Sequence, residues 1–426
     1  MKSINHKWNI FQMISFRFIF IYFGLYISTF FISFLPYTTS LVRWLTYNIQ
    51  SLPVWVADKF LGIEITVFPG GSGDTTYNYV EILTFFILAL IITAIWSILD
   101  RKRVNYKKLL LYFSIYVSYY VALNMFSYGF SKIFYLQFSA PSLTRLLQPY
   151  GSSSPMGIAW TFMGASKTYT MFSGFAEVLG GLLLLHRRTR TFGALTVFSV
   201  MLNVFMMNMS YDIPVKIFSF HLMIMMLFVA LLDYKRILNL FGLKKSFQVS
   251  VPPVKYFQNR KLSIGIWVFK IVFLAYGIYT LINNNLEYVN ETKNKSKPVL
   301  YGIYDVETYV INKDTIAPLL TDKTRWKKII SDGKWFSEYI IVKGMNDQTT
   351  WYSYKIDTLK KSLEMKSYND STSVLNLHYI QKDTTLVFEG LWNKDSIKIN
   401  MNKFDLTKFR LTNRGFNWIN EYPYNR

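Results

Sequence analysis

The stretch Asn78–Leu99 reads NYVEILTFFILALIITAIWSIL. An α-helix of about 20 predominantly apolar residues is long enough to cross the hydrocarbon core of a bilayer. This stretch is therefore read as a membrane span. Six more runs of the same kind follow from the same rule: Phe16–Leu35, Leu109–Phe130, Lys167–Leu185, Thr191–Met209, Ile217–Leu232 and Leu262–Ile282. The run Ile217–Leu232 lies near the lower length limit and extends backward through Pro214. The first run is too long for a signal-peptide core, and Phe30–Leu35 offers no small-residue cleavage site.

Composition agrees with this count. Hydrophobic residues make up 51% of the 426 positions and charged residues only 17%, against about 25% charged in ordinary soluble domains. Cysteine is absent, which removes disulfide and thiolate chemistry. The net charge of +22 is concentrated where the spans are, so topology explains it better than nucleic acid does. No nucleic-acid partner is expected.

Orientation follows from the positive-inside rule. With the N-terminus in the cytoplasm, eighteen Lys/Arg fall on the inner side, from Lys2 to Lys261, against six on the outer side: Arg43, Lys59, Lys132, Arg145, Lys167 and Lys216. An odd number of spans then places the C-terminal segment outside the cytoplasm. Lys270 sits within the last span and is expected to snorkel. Two outer segments, Pro36–Tyr77 and Ser131–Ser166, read as long loops, and loops of such length are usually functional.

After Asn283 the pattern changes. Asn284–Pro298 is polar and reads as a linker. Beyond it, Tyr354–Asp357, Leu375–Tyr379 and Ile397–Met401 alternate with period two, and turn signals such as Asn312-Lys313-Asp314 and Asn393-Lys394-Asp395 recur between strands. Short strands at this spacing predict an antiparallel sandwich or barrel. Thr324–Ile330 is read as a short helix. The expected fold is thus an all-α polytopic membrane bundle of about seven transmembrane helices plus a C-terminal, mainly antiparallel β domain.

Glu177 is the sharpest candidate for function. It lies near the middle of a span, where a charge costs at least about 2.5–3.5 kcal/mol. It must be protonated, paired or open to a water-filled cavity. Its helix is rich in small residues, including Gly174, Gly180 and Gly181, which permit close helix approach. The third span carries Tyr116, Tyr120, Asn124, Tyr128 and Lys132 at steps of four, on one slowly drifting face. Such a stripe either lines a cavity for a ring-bearing ligand or continues an interfacial tyrosine belt. Asn203, Asn208, Tyr211, Asp212, Lys216 and His221 gather around the turn between the fifth and sixth spans. Together with Lys132 and Lys167, at the same expected membrane level, they outline a polar pocket in the outer leaflet if these helices pack as one bundle, or an ordinary wet turn. Asp212 and Lys216 are spaced to pair if helical.

The Gly-rich stretch Pro69–Thr76 lacks the Gly-Lys-Ser/Thr ending of a phosphate-binding loop. Asp74, with Thr75 and Thr76, is expected to cap the second span. The four histidines, His6, His186, His221 and His378, have no paired metal spacing, and no metal site is expected.

The motifs Tyr128-Gly129-Phe130-Ser131-Lys132, Glu177-Val178-Leu179-Gly180-Gly181-Leu182-Leu183-Leu184, Arg187-Arg188 and Asn208–Lys216 come in that order. In these the stretch from about Asn105 to Phe241 resembles the DoxX family of bacterial membrane proteins. The resemblance implies a four-helix core; some relatives are linked to quinone or sulfur-compound oxidation and many have no assigned activity, so the cofactor is left open, with a quinone as the candidate. The additional spans, the outer domain and the lack of cysteine depart from the minimal form of that family. The domain organisation that follows is an N-terminal membrane region (1–104), a DoxX-like core (105–241), a cytoplasmic linker with the last span (242–289) and an extracytoplasmic β-rich domain (290–426).

Three functions are expected from these features. The first is a bacterial inner-membrane protein that anchors a periplasmic β domain, which binds an envelope partner or an apolar ligand such as a lipid. The second is a quinone-linked redox subunit with a proton relay through Glu177. The third is a transporter, although no inverted repeat is visible.

Overall fold

In the computed structural model the described residues are 7–33, 35, 37–67, 73–239, 260–294, 297–333, 337–370 and 372–425. The chain divides into two compact units, Met1–Gln137 with Thr168–Leu286, and Phe138–Lys167 with Glu287–Arg426.

The first unit is helical. Its long elements are α1 (Ile10–Ile27), α3 (Thr39–Val56), α4 (Thr76–Leu99), α5 (Lys107–Ile133), α8 (Lys167–Leu185), α9 (Arg190–Ser210), α10 (Lys216–Leu231) and α12 (Arg260–Asn294); α2 (Phe30–Ser33) and α11 (Tyr234–Ile237) are single turns. Among the described residues six helical segments are long and apolar enough to cross a membrane, with α1 and α2 counted as one, and α10 is a shorter apolar helix. The spans read from sequence all fall on these helices. The outer segment Pro36–Tyr77 is not simply a loop, because α3 occupies much of it, with Trp44, Tyr47 and Trp55 exposed. The linker expected at Asn284–Pro298 is helical as far as Asn294. At about 1.5 Å per residue, α12 is roughly 52 Å long and exceeds a hydrocarbon core of about 30 Å.

Polar groups tie the helix ends together. Arg17 in α1 is buried. Its guanidinium donates to the Tyr106 hydroxyl from Nε (3.1 Å) and Nη2 (2.9 Å), to Ser97 Oγ (2.9 Å) and to the Asp100 carbonyl (3.0 Å). Tyr106 in turn donates to Asp100 Oδ2 at 2.7 Å. The start of α1 is thereby fixed to the end of α4 and the start of α5. Thr75 caps α4 as expected. Asp74 caps a different helix: its carboxylate accepts from the Lys216 and Ile217 amides of α10 at 2.7 and 3.0 Å. The α10 amides point along its axis toward that carboxylate, which satisfies donors that have no partner within the helix. Of the Gly-rich stretch, residues 68–72 lie outside the described residues, as does most of the segment before α12.

The second unit is a closed antiparallel barrel. Its strands are β1 (Gly302–Ile311), β2 (Asp314–Thr315), β3 (Trp326–Ser331), β4 (Tyr339–Gly344), β5 (Thr349–Asp357), β6 (Ser362–Ser367), β7 (Val374–Lys382), β8 (Thr385–Trp392) and β9 (Asp395–Lys403). Each pairs with its neighbour in sequence, apart from the two-residue β2, which hangs on β1. The pairing of β1 with β9, from Tyr304↔Lys403 to Ile311↔Ile397, closes the ring. Barrel, not sandwich, is therefore the outcome for the β domain. In β7 the alternation sends Leu375, Leu377 and Tyr379 inward and leaves His378 exposed. The helix expected at Thr324–Ile330 is corrected to strand β3. There Trp326 and Ile329 join the barrel interior, and the backbone pairs with β1 and β4. Its start is set by Asp322, which accepts from the Arg325 and Thr324 amides. The Arg325 amide, more than any other group, holds the Asp322 carboxyl below the usual carboxylate range.

The segment read as the second outer loop, Ser131–Ser166, also holds structure. It contains α6 (Leu143–Leu146), a 3-10 turn (Tyr150–Ser152) and α7 (Pro155–Ala165). Leu143 packs with Ile303, Ile330 and Ile341 of the barrel wall, and the Thr144 amide donates to Asp332 Oδ2 at 3.4 Å. After the barrel come a short 3-10 turn (Leu406–Lys408) and α13 (Arg410–Asn413).

Candidate functional site

Lys132 closes α5 and Glu177 lies mid-way along α8. Forty-five residues apart in sequence, they meet in space. Lys132 Nζ donates to both carboxylate oxygens of Glu177 at 2.7 Å, and the residues are 6% and 2% exposed. Glycine makes the approach feasible. A Cβ at Gly174 would lie 2.6 Å from the Gly129 carbonyl oxygen, and one at Gly129 would lie 2.6 Å from Val178 Cγ2. One turn on from Gly129, the Lys132 chain therefore runs across the α8 surface at short range. Gly181 meets Phe126 and Ala122 in the same way. Gly174 and Gly181 of α8 thus serve contact with α5, while Gly180 meets Val197 of α9. Tyr128 is at the rim, 37% exposed, with its ring centroid 5.7 Å from Lys132 Nζ and 5.8 Å from the Phe218 ring.

His221 belongs to a second cluster. It is buried in α10 and its ring lies parallel to Tyr26 of α1 at 4.2 Å. His221 Nδ1 is 2.7 Å from the Ile217 carbonyl, and Nε2 is 2.8 Å from the Tyr22 hydroxyl. A carbonyl only accepts, so Nδ1 carries the proton, and a neutral His221 accepts from Tyr22 through Nε2. Beyond Tyr26 lies a cavity of about 250 Å³. Tyr26, Thr29, Gln50, Glu81 and Tyr120 line it with polar groups, and Phe85 adds an apolar wall. Glu81 Oε1 accepts from Tyr77 at 2.7 Å.

The remaining candidates disperse. Asn208 is buried and donates to Ser219 Oγ (3.0 Å) and the Val215 carbonyl (3.3 Å), which braces the α9–α10 turn. Asp212 and Lys216 pair at 2.9 Å across that turn, with Asp212 exposed and at φ 50° outside any helix. Lys216 also lies 3.9 Å from Asp74. Asn203 is on an exposed face of α9. The eight residues Tyr128, Lys132, Glu177, Asn203, Asn208, Asp212, Lys216 and His221 therefore do not form one pocket. They form an ion pair with an aromatic rim, a histidine–tyrosine cluster and a capped turn. Tyr22, Tyr26 and Glu81 were not singled out by sequence reasoning. Glu81 was the legible one, as a carboxylate inside the first turns of an otherwise apolar span.

No protein-family model matches the chain, and no solved structure matches it. A relative does: the uncharacterized protein YwoB of Bacillus subtilis (strain 168) is 34% identical over 122 residues, which is 29% of this chain and 77% of YwoB. The chain belongs to the same family as YwoB. Membership of the YwoB family accounts for less than a third of the length of this chain.

The ion pair yields a direct test by thermal unfolding in detergent. Lys132→Met leaves a buried carboxylate alone and is expected to cost about 3–5 kcal/mol, while Lys132→Met with Glu177→Leu recovers most of the loss. Equal losses in the single and double variants would show that the two side chains act separately.

Proposed function

We propose that this is a DoxX-like integral membrane protein of the bacterial envelope, which crosses the bilayer seven times and anchors the β-barrel on the extracytoplasmic side for a protein partner. The observation that carries this reading is the packing of Leu143, in the segment between α5 and α8, against the barrel wall at Ile303, Ile330 and Ile341. On this reading the barrel lies on the side of the membrane where α5 ends. From there α8 leads away and α9 returns. Only if α10 also crosses does α12 deliver the barrel back to that side.

The contacts at the two ends of α10 support its crossing. Its N-terminus is capped by Asp74, beside the start of α4, and Asp233 beyond its C-terminus accepts from Thr191 at the start of α9. Arg190 beside Thr191 donates to Ser114 near the start of α5, where Tyr106 meets Arg17 and Asp100 at the end of α4. The short helix thus reaches from the level where α4 begins to the level where it ends. The basic residues Arg101, Lys102, Arg103, Arg187 and Arg188 flank that second level, and the positive-inside rule assigns it to the cytoplasm.

The barrel favours a partner over an enclosed apolar ligand. Eight strands give an interior just wide enough for side chains to fill, and Tyr304, Tyr309, Met365, Phe388 and Met401 fill it, each no more than 1% exposed. Recognition is then left to the outer surface.

A second reading rests on the cavity beside Tyr26. Its parallel Tyr26–His221 rings and its hydroxyl and carboxylate lining suit a flat, hydrogen-bonding ring such as a quinone head. Glu177, held at both oxygens by Lys132, fits a proton relay less well than Glu81 or His221 does.

The chain has no native cysteine, so single-cysteine labelling needs no background removal. Lys394→Cys in the β8–β9 turn is expected to react with a membrane-impermeant maleimide on intact cells whose outer membrane is permeable to it, while Lys102→Cys reacts only after lysis. Both sites reacting on the same side would replace seven crossings by an even number. For the second reading, solvent extracts of the purified protein are expected to contain quinone that Glu81→Gln and Tyr120→Phe deplete; extracts without quinone would remove it.

A further inference from the structure

A second cavity, of about 300 Å³, opens where α5, α9 and α10 converge at the end of the helical unit that carries the basic turns. Lys107, Arg187 and Arg190 line it, with one acid, Asp233. That acid is already engaged. It accepts from Thr191 Oγ1 and pairs with Arg236 Nη1 at 3.1 Å. The cations therefore dominate the cavity. Arg190 is the informative one. One of its terminal nitrogens donates to Ser114 Oγ at 3.2 Å, while its Nε is buried and has no hydrogen-bond partner among the described residues. A buried guanidinium donor without an acceptor is costly, so Nε is the donor that an incoming acceptor would satisfy. Below the cations the wall is apolar, built by Leu110, Leu111, Val229 and Leu232.

We infer that this cavity binds the phosphate of an anionic phospholipid, with Arg190 as its principal donor and the acyl chains lying along the apolar wall. The ligand needs acceptor oxygens for Arg190 Nε, negative charge for Lys107 and Arg187, and a hydrocarbon part for the leucine and valine wall. A free phosphate offers the first two and lacks the third. Basic pockets between spans on the cytoplasmic side are of the kind that hold lipid head groups. The inference rests on the membrane reading above, and the two fail differently. A chain that stays soluble without detergent would end the membrane reading, whereas a detergent-dependent chain whose lipid binding ignores both Arg190 and Lys107 would end only this one.

The test uses full-length protein in detergent and native mass spectrometry, titrated in turn with phosphatidylglycerol, phosphatidylcholine and glycerol phosphate. Phosphatidylglycerol is expected to bind tightest. Arg190→Gln, which removes the charge, should weaken it about tenfold or more, in line with the loss of a charge-assisted hydrogen bond. Lys107→Gln should weaken it a few-fold; this side chain is exposed at the helix start, so the variant keeps the test valid if Arg190→Gln fails to fold. Glycerol phosphate binding as tightly as the lipid would replace the lipid by a soluble phosphate. Phosphatidylcholine equal to phosphatidylglycerol, or Arg190→Gln and Lys107→Gln both without effect, would overturn the site.

Discussion

The contact between α5 and α8 is where the helical unit commits itself. In the bilayer proposed above there is no hydrophobic force to press helices together, and association depends on close packing and on polar groups that find each other. Gly129 and Gly174 bring the two backbones close enough that neither position has room for a methyl group. Lys132 then spans the short gap to both oxygens of Glu177. The glycine contact without the pair would leave a carboxylate unsatisfied, and the pair without the glycines would be out of reach. Having both in one stretch of two helices fixes rotation and depth together, which aligns Phe126 and Met125 with the α8, α9 and α10 side chains of the central core.

The other polar contacts are arranged by level. Arg17, Tyr106 and Asp100 hold the ends of α1, α4 and α5 at one level, and Asp74 holds the starts of α4 and α10 at the other. Helices whose ends are tied in this way have little freedom to slide along one another. A helix of only 16 residues can then take part in the same bundle as α5 with 27. The tie between Asp74 and α10 lies within the helical unit, and the packing of Leu143 on Ile303, Ile330 and Ile341 lies within the barrel unit.

Much of this was legible in the amino-acid order. The apolar runs are long and uninterrupted, so Lys167–Leu185 was read to its last residue, and the alternation at Leu375–Tyr379 marked a strand with one buried face. Pairing over distance was not legible. Glu177 demands a partner, but nothing local in the sequence singles out Lys132 over Lys167, and the Tyr22–His221 contact joins residues 199 apart. The segment Thr324–Ile330 misled because its charged and apolar residues mix without a strict period, and only its pairing with β1 and β4 makes it a strand. Asp74 was read as a cap because of its neighbours in sequence, yet it serves the helix that is beside it in space. The barrel's closure was likewise hidden, since it depends on β1 meeting β9 at opposite ends of the domain.

The central claim is that Glu177 is a carboxylate held by Lys132 inside the helical unit. Isotope-edited infrared spectroscopy of the protein in bilayers, with Glu177→Gln as the difference partner, reads its state directly. A carboxylate stretch at neutral pH that vanishes in Glu177→Gln is the expected result. A carbonyl band of a protonated carboxylic acid in its place would contradict it.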